Sequence, residues 1–130
     1  MNVESVREYC LSLPLVSEDT AFGYDHLLFR LSGKIFACLS LDGNDRIALK
    51  SDAAYAVRLR ERYQAIEPAY HWNKKYWNQM PVQSGALSDD VIRALIRHSY
   101  AEVAHKLPKR FITDHPDVAL VQGDVDITVD

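Results

Sequence analysis

Several features that would define a protein class at once are missing from this chain. It has 2 cysteines among 130 residues, Cys10 and Cys38, and both are isolated within apolar patterns. That placement is typical of small buried hydrophobes, not of a disulfide framework or a metal knuckle. No apolar run is long enough to cross a bilayer, and the amino end has no basic segment followed by an apolar run. We therefore expect a soluble protein of the cytoplasm.

The motifs of common enzyme classes are also missing. The sequence contains no Gly-rich phosphate loop, serine elbow or dinucleotide fingerprint, and neither cysteine lies in a motif that would lower its pKa. Adjacent acids such as Glu18 and Asp19 are usually solvated. His98, Glu102 and His105 share a flank of the last predicted helix, but without a second such segment they allow at most a weak surface metal site. We expect no catalytic residues, no metal and no cofactor.

The charge of the chain is unevenly distributed. The net charge is -3, yet residues 111–130 hold five aspartates and no lysine or arginine. Residues 1–110 therefore hold all 15 basic groups and 13 of the 18 acidic ones, a charge of +2. A mildly basic body with an acidic tail lacks the strong excess of a dedicated nucleic-acid binder, although a local patch can still attract phosphate.

The length and the 48% hydrophobic content predict one compact domain. Apolar residues at three- and four-residue spacing predict helices over residues 3–13, 52–63 and 88–105, capped by Asn2, Asp52 and Ser88. Alternating residues predict strands over 27–31, 35–41, 46–50 and 79–82, with an irregular connection over 15–23. Residues 118–121 and 124–130 form either a late hairpin or a loose acidic tail.

The turn between the first two strands decides which residues share a face. A three-residue loop over 31–33, with Gly33 in the left-handed position, places Phe29 beside Ile35 and keeps the apolar residues together. A two-residue turn would pair Leu27 with Cys38 and mix the faces, so we favour the bulged loop. The predicted core face comprises Leu27, Phe29, Ile35, Ala37, Leu39, Ile47 and Leu49. The reverse face comprises His26, Leu28, Arg30, Lys34, Phe36, Cys38, Ser40, Arg46 and Lys50.

Four cations and an exposed Phe36 on the reverse face suggest a platform for an anionic partner. The alternative, which we favour, is the solvated side of a sheet that helices cover on one side only.

Residues 70–78, with the sequence YHWNKKYWN, are the densest group of stacking and hydrogen-bonding side chains in the chain. Trp72 and Trp77 can stack on bases or fill a pocket of a partner, and the lysines between them can meet phosphates. Alternatively, some aromatics pack the core and the asparagines satisfy backbone groups in a tight turn. One alternating face cannot bury all four large aromatics, so both interpretations remain open.

This segment carries a family resemblance, together with Pro14, Glu18, Phe22-Gly23, the GKIFA run at 33–37, Leu49-Lys50 and Ser99-Tyr100. Over about residues 3–110 the chain resembles the YjbR/MmcQ family of small bacterial proteins. Ala21 departs from the proline expected before Phe22. The resemblance implies one domain over residues 1–110 and makes residues 111–130 an acidic C-terminal extension.

The resemblance also implies a fold and a function. The fold is α+β, a two-layer α/β sandwich of order α-β-β-β-α-β-β-α on an antiparallel sheet, which agrees with the predicted elements. The family is commonly described as DNA-binding by likeness to other folds, and its sheet resembles that of secretion chaperones, which bind polypeptide. We therefore expect a non-enzymatic binding domain.

The leading partner is DNA, the second is a protein or another copy of the chain, and no membrane is involved. A third option, an enzyme, rests on His71 and the adjacent asparagines, and a cleft that joins His71 to Glu18 or Asp19 would favour it. The candidate binding residues are His71, Trp72, Asn73, Lys74, Lys75, Trp77, Asn78, Arg30, Lys34, Arg46 and Lys50.

Overall fold

The computed structural model describes residues 1–43 and 45–125. Its helices are α1 (Val3–Ser12), α2 (Ala53–Arg62), α3 (Asp89–Ala104), α4 (Lys109–Asp114) and α5 (Pro116–Ala119). Its strands are β1 (Val16–Asp19), β2 (His26–Leu31), β3 (Lys34–Ser40), β4 (Arg46–Lys50), β5 (Glu67–Pro68) and β6 (Trp77–Pro81). Every strand pair is antiparallel, in the order β1-β2-β3-β4-β6-β5. The predicted α+β class and antiparallel sheet are confirmed.

The three predicted helices begin at their predicted caps. The Asn2 side chain accepts a hydrogen bond from the Ser5 N–H at 2.8 Å, and Ser5 Oγ accepts one from the Asn2 N–H at 2.9 Å, which completes a capping box. Asp52 caps α2 through the Tyr55 N–H at 2.9 Å. Ser88 caps α3 in the same way. None of the helices in the described ranges has the length and apolarity needed to cross a membrane.

The main core lies between the sheet and the helices. Val6 of α1, Leu59 of α2 and Ile96 of α3 are buried in one cluster with the sheet residues Phe29 and Leu39. On the opposite face of the sheet, which we call the reverse face, lies a second and smaller buried cluster that comprises Leu28, Cys38, Ala48, Ala69 and Trp77. The prediction of a solvated reverse face is therefore wrong at the centre of the sheet.

The β2–β3 hairpin differs from the prediction. Leu31 pairs with Lys34 across a two-residue turn, in which Ser32 and Gly33 have φ of 50° and 80°. Positive φ at both positions gives a turn whose twist matches the strands. The register then shifts between Phe29 and Arg30, because Phe36 is an extra residue in β3. The predicted loop over 31–33 is wrong, because the bulge lies at Phe36, three residues beyond Gly33, and restores the pairing of apolar residues there.

The bulge exchanges the faces of two neighbouring side chains. Phe36 is 0% exposed and packs edge-on to Tyr100, with ring centroids 5.4 Å apart. Ile35 instead packs against the reverse-face cluster. The predictions of an exposed Phe36 and a core-facing Ile35 are therefore wrong. Since the bulge removes Phe36 from the regular ladder, its carbonyl accepts the Ser99 hydroxyl at 2.5 Å, and Ser99 Oγ accepts the Lys50 N–H at 2.8 Å.

Two segments predicted to be irregular or extended differ in the structure. The connection over 15–23 contains strand β1, which pairs with β2 at the edge of the sheet. Residues 118–121 do not form a strand, because α5 covers Pro116–Ala119 and Val118 is buried against the main core. The second strand of that predicted hairpin extends to residues 126–130, which lie outside the described residues.

Candidate functional site

Residues 70–76 form a compact loop that leads into β6, and Trp77 and Asn78 are the first two residues of that strand. The Ala69 N–H donates to the Trp77 carbonyl at 3.0 Å and closes the loop. Within it, the Asn73 carbonyl accepts from the N–H groups of Tyr76 and Trp77, both at 3.0 Å, and Asn73 Oδ1 accepts from the Lys75 N–H at 3.1 Å. Asn73 therefore satisfies the backbone of a tight turn, as one of the two interpretations predicts.

The last two residues of the segment have structural contacts. Trp77 is 8% exposed and belongs to the reverse-face cluster. Asn78 is buried on the helical side, where its amide donates to the Ala56 carbonyl at 3.1 Å and accepts from Arg60 Nη1 at 2.7 Å. These contacts join β6 to α2, so the side chains of Trp77 and Asn78 lie inside the fold.

A layer of aromatic rings extends from this cluster to the surface. The rings of Trp72 and Trp77 stack with centroids 4.4 Å apart and planes inclined by 26°. Phe22, from the connection between β1 and β2, lies 5.7 Å from Trp72 and is 55% exposed. Trp72 is half-buried and has Trp77 on its inner side and Phe22 at its rim. The rings of this layer thus range from buried to accessible.

A cleft of about 250 Å³ opens beside Trp72. We call it the reverse-face cleft, and it is lined by Phe22, His26, Cys38, His71 and Trp72. Sites that enclose a drug-sized ligand have volumes of about 300–1,000 Å³. The reverse-face cleft is smaller, so it suits a single planar ring better than a whole drug-sized ligand.

The titratable groups at the cleft do not form a nucleophile. His26 Nδ1 lies 2.9 Å from Asp25 Oδ1, and this hydrogen bond is the main cause that lowers the pKa of Asp25. Burial, with a smaller effect of the Asp25 charge, raises the pKa of Cys38 to about 11. A thiol that is neutral at physiological pH is a weak nucleophile. The cleft therefore offers aromatic surface and two imidazoles.

The outer part of the loop presents cations to solvent. His71, Lys74 and Lys75 are exposed. Lys74 Nζ lies 5.1 Å from the centroid of the Tyr70 ring, and Lys75 Nζ lies 5.4 Å from that of Tyr76. Contacts of this kind order a lysine while its ammonium stays accessible. The loop therefore places two ordered cations directly after His71 and Trp72 of the cleft.

The predicted cations of the sheet do not join this surface as one group. Arg30 pairs with Asp19 at 2.6 Å, and Arg46 pairs with Glu67 at 2.6 Å. Lys50 lies at the other end of its strand, where burial and then the charge of Lys106 lower its pKa. Lys34 is exposed at the β2–β3 turn. Of the predicted site residues, His71, Trp72, Asn73, Lys74 and Lys75 lie together in one loop.

The paired carboxylates that would support an enzyme are engaged elsewhere. Glu18 forms a two-point ion pair with Arg7, and Asp19 pairs with Arg30. Among the residues lining the cleft at His71, as far as the structure describes them, neither carboxylate occurs. Sequence reasoning did not include Phe22 and His26 among the site residues. Phe22-Gly23 is among the residues that carry the family resemblance, and this resemblance could have identified Phe22 as a site residue.

The fold and the cleft define a class of small α+β domains, in which an antiparallel sheet has helices on one face and an aromatic loop on the other. The chain belongs to the YjbR family, whose model matches residues 11–102. It is 37% identical over 109 residues to the uncharacterized protein YbdF of Escherichia coli O157:H7, covering 82% of this chain and 88% of that protein.

Solved structures share the fold. A crystal structure of the Deinococcus radiodurans protein DR2400, with family-model domain DUF419, superimposes with a TM-score of 0.80 at 26% identity and covers 99% of this chain and 96% of its own. A Pseudomonas syringae protein gives a TM-score of 0.66 at 27% identity, over 76% of this chain and 96% of its own. These similarities establish the family and the fold.

Proposed function

We propose that this protein is a non-enzymatic binding domain that takes single-stranded DNA on its reverse face. One observation carries the proposal, namely an aromatic cleft followed within three residues by two exposed lysines. Proteins that bind single strands combine stacking rings with cations that follow the backbone. Here the accessible faces of Phe22 and Trp72 supply the stacking surface, and Lys74 and Lys75 supply the charge.

Single-stranded DNA is favoured over duplex because of the available charge. Arg30 and Arg46 are neutralised by Asp19 and Glu67, so the sheet does not offer the row of cations that a duplex backbone requires. Stacking on an aromatic ring needs an unpaired base and contributes about 1–3 kcal/mol per base. A cleft that fits one ring therefore suits a splayed base better than a groove edge.

The test is a fluorescence anisotropy titration of a labelled single-stranded oligodeoxynucleotide with increasing protein, repeated from about 50 to 200 mM salt. The double variant Lys74→Glu/Lys75→Glu should bind more weakly and with a shallower salt dependence. Each phosphate contact on a single strand contributes about 0.7 to the slope of log K against log salt, so the slope should fall by about 1.4.

Lys109→Glu/Arg110→Glu is the matched control, because both residues are exposed on α4, in the helical layer, and the charge change is equal. This control variant should retain the salt dependence of binding that the unchanged protein shows. No binding by the unchanged protein at low salt would overturn the proposal, as would equal weakening in the control.

A protein partner is the second candidate, because aromatic rings at this surface are unusually accessible. Tyr24, two residues after the exposed Phe22, is 95% exposed, and Tyr70, two residues before Trp72, is 56% exposed. Exposed aromatic clusters mark interaction surfaces, and tyrosine anchors often dominate their energetics. If the chain associates with itself through this surface, light scattering should detect an oligomer that Phe22→Ala dissociates, and the DNA titration should be flat.

A further inference from the structure

Away from the reverse-face cleft, three potential metal ligands converge between α2 and α3. Asp52, His98 and Glu102 each offer one donor atom, and these atoms lie within 4.8 Å of one another. Asp52 is the N-cap of α2, whereas His98 and Glu102 lie one turn apart on α3. His98 Nε2 is 3.7 Å from Glu102 Oε1. The set combines one imidazole with two carboxylates.

The His98 imidazole has a fixed orientation. Its Nδ1 lies 3.0 Å from the Gly123 carbonyl and 3.0 Å from Asp124 Oδ1. Both partners only accept hydrogen bonds, so Nδ1 carries a hydrogen and Nε2 is the ring nitrogen that is available to a metal. A carboxylate and a carbonyl behind the ring are the arrangement that orients metal-binding histidines in general.

The environment of the other nitrogen of the same ring independently indicates that a metal ion binds here. Nε2 is buried and has no hydrogen-bond partner within the described residues. Its nearest charged neighbour is the carboxylate of Glu102, with Asp52 also close. A buried nitrogen without a hydrogen-bond partner is unfavourable, and a cation held between Nε2 and the two carboxylates removes that cost.

The C-terminal segment is built closely against this histidine. The Tyr55 ring packs against the His98 ring with centroids 4.3 Å apart, and its hydroxyl accepts the Val125 N–H at 2.8 Å. Arg97 Nε donates to the Gln122 carbonyl at 2.8 Å. A Cβ on Gly123 would lie 2.1 Å from the Ala94 carbonyl oxygen, so only glycine permits this approach. The contacts of Gln122, Gly123 and Val125 therefore hold Asp124, which lies between them, beside His98.

We propose that Asp52, His98 and Glu102 bind a divalent transition metal of the Zn²⁺ type. Tetrahedral Zn²⁺ with bonds of about 2.0–2.1 Å needs donors about 3.3 Å apart, which side-chain shifts of about 1 Å provide here. Asp52 Oδ1 already accepts the Tyr55 N–H, so Oδ2 is the oxygen for the metal. Imidazole favours Zn²⁺ over Mg²⁺ or Ca²⁺. The ammonium of Lys50 interacts with Glu102 and offsets part of the negative charge.

The test is isothermal titration calorimetry of the metal-stripped full chain with ZnCl₂ at neutral pH, with MgCl₂ as a comparison. We expect one Zn²⁺ per chain and no Mg²⁺ binding. His98→Ala and Glu102→Gln should each weaken Zn²⁺ binding at least a hundredfold. His105→Ala is the matched control, because His105 lies on the same face two turns along and lines one pocket with His98 and Glu102, but it is outside the donor set. It should bind like the unchanged protein.

The Asp124→Asn variant tests whether Asp124 supports metal binding by orienting the His98 ring or only by maintaining the fold. It keeps the shape of the side chain and should weaken Zn²⁺ binding by about 10–100-fold, while circular dichroism stays unchanged. The proposal is overturned if the unchanged chain binds no Zn²⁺ or if His98→Ala binds equally well. It is also overturned if NMR shows that His98 carries hydrogen on both ring nitrogens and that Zn²⁺ leaves its resonances in place.

Discussion

At the scale of single residues, Ser99 connects the longest helix to an irregularity in the sheet. Its hydroxyl donates to the carbonyl of the bulged Phe36 and accepts the Lys50 N–H, and its side chain is 0% exposed. Ser99→Ala would leave both backbone groups without this partner. A buried group that loses its hydrogen bond costs about 1–3 kcal/mol.

We therefore predict that Ser99→Ala lowers the free energy of unfolding by about 1–3 kcal/mol, measured by urea denaturation. Ser17→Ala on the exposed edge strand serves as the control and should change it by less than about 0.5 kcal/mol. Equal stabilities of the two variants would show that water replaces the hydroxyl.

Asp19 gives a prediction for acid stability. The hydrogen bond from Arg30 is the main cause that lowers its pKa from the ordinary value of 3.8, and the Ala21 N–H adds to it. The folded protein therefore binds fewer protons at Asp19 than the unfolded chain does. Its stabilising effect is complete above pH 3.8 and is lost as the pH falls through the lower folded pKa.

Asp19→Asn should therefore flatten the loss of stability below pH 3.8 relative to the unchanged protein. The measurement is the free energy of unfolding as a function of pH. Parallel curves for the two proteins would contradict the role of Asp19. Asp25 and Asp89 also have lowered pKa values and should continue to contribute in the same direction.

At the scale of elements, the segment over residues 70–78, a loop and the start of β6, divides into an accessible and a structural part. Trp77, at the start of β6, is buried on the reverse face, whereas Tyr70, at the start of the loop, is more than half exposed. Trp77→Ala should lower the free energy of unfolding by about 3–5 kcal/mol, because it empties the centre of the reverse-face cluster. Tyr70→Ala should change it by less than about 0.5 kcal/mol. Thermal or urea unfolding of both variants decides this, and similar losses would contradict the division.

The elements show how far local patterns determine this fold. The caps at Asn2, Asp52 and Ser88 act within three residues of their partners, so sequence alone locates the helix starts. The position of the β-bulge depends on distant contacts, because Phe36 turns inward to meet Tyr100 and its carbonyl meets Ser99. Strand β1 likewise has little pattern of its own and is defined by pairing with β2.

The site was predictable in part for the same reason. Composition identified the loop and its lysines, since nothing else in the chain is so rich in stacking and cationic groups. Whether Trp72 or Trp77 lies inside depends on the packing of β2 to β4 beneath them. Arg30 pairs with Asp19 of β1, and Arg46 pairs with Glu67 of β5. Local sequence does not determine where these two strands lie, so these ion pairs were not predictable.

At the scale of the whole molecule, the two faces of the sheet are covered by different segments. The helices and the C-terminal segment cover one face, where Asp124 lies beside α3. The aromatic loop covers the other face and carries Lys74 and Lys75. The sheet thus separates an acidic segment from the cationic loop, so a net charge of -3 is compatible with a surface that attracts an anion.

The most direct test of the proposed DNA surface is an NMR titration of the ¹⁵N-labelled protein with a single-stranded oligodeoxynucleotide at low salt. We predict that the shifted resonances comprise those of Phe22, His26, His71, Trp72, Lys74 and Lys75, including the indole N–H of Trp72, while α3 and α4 stay unchanged. Spectra without shifts at saturating oligonucleotide, or shifts confined to the helical layer, would contradict the account.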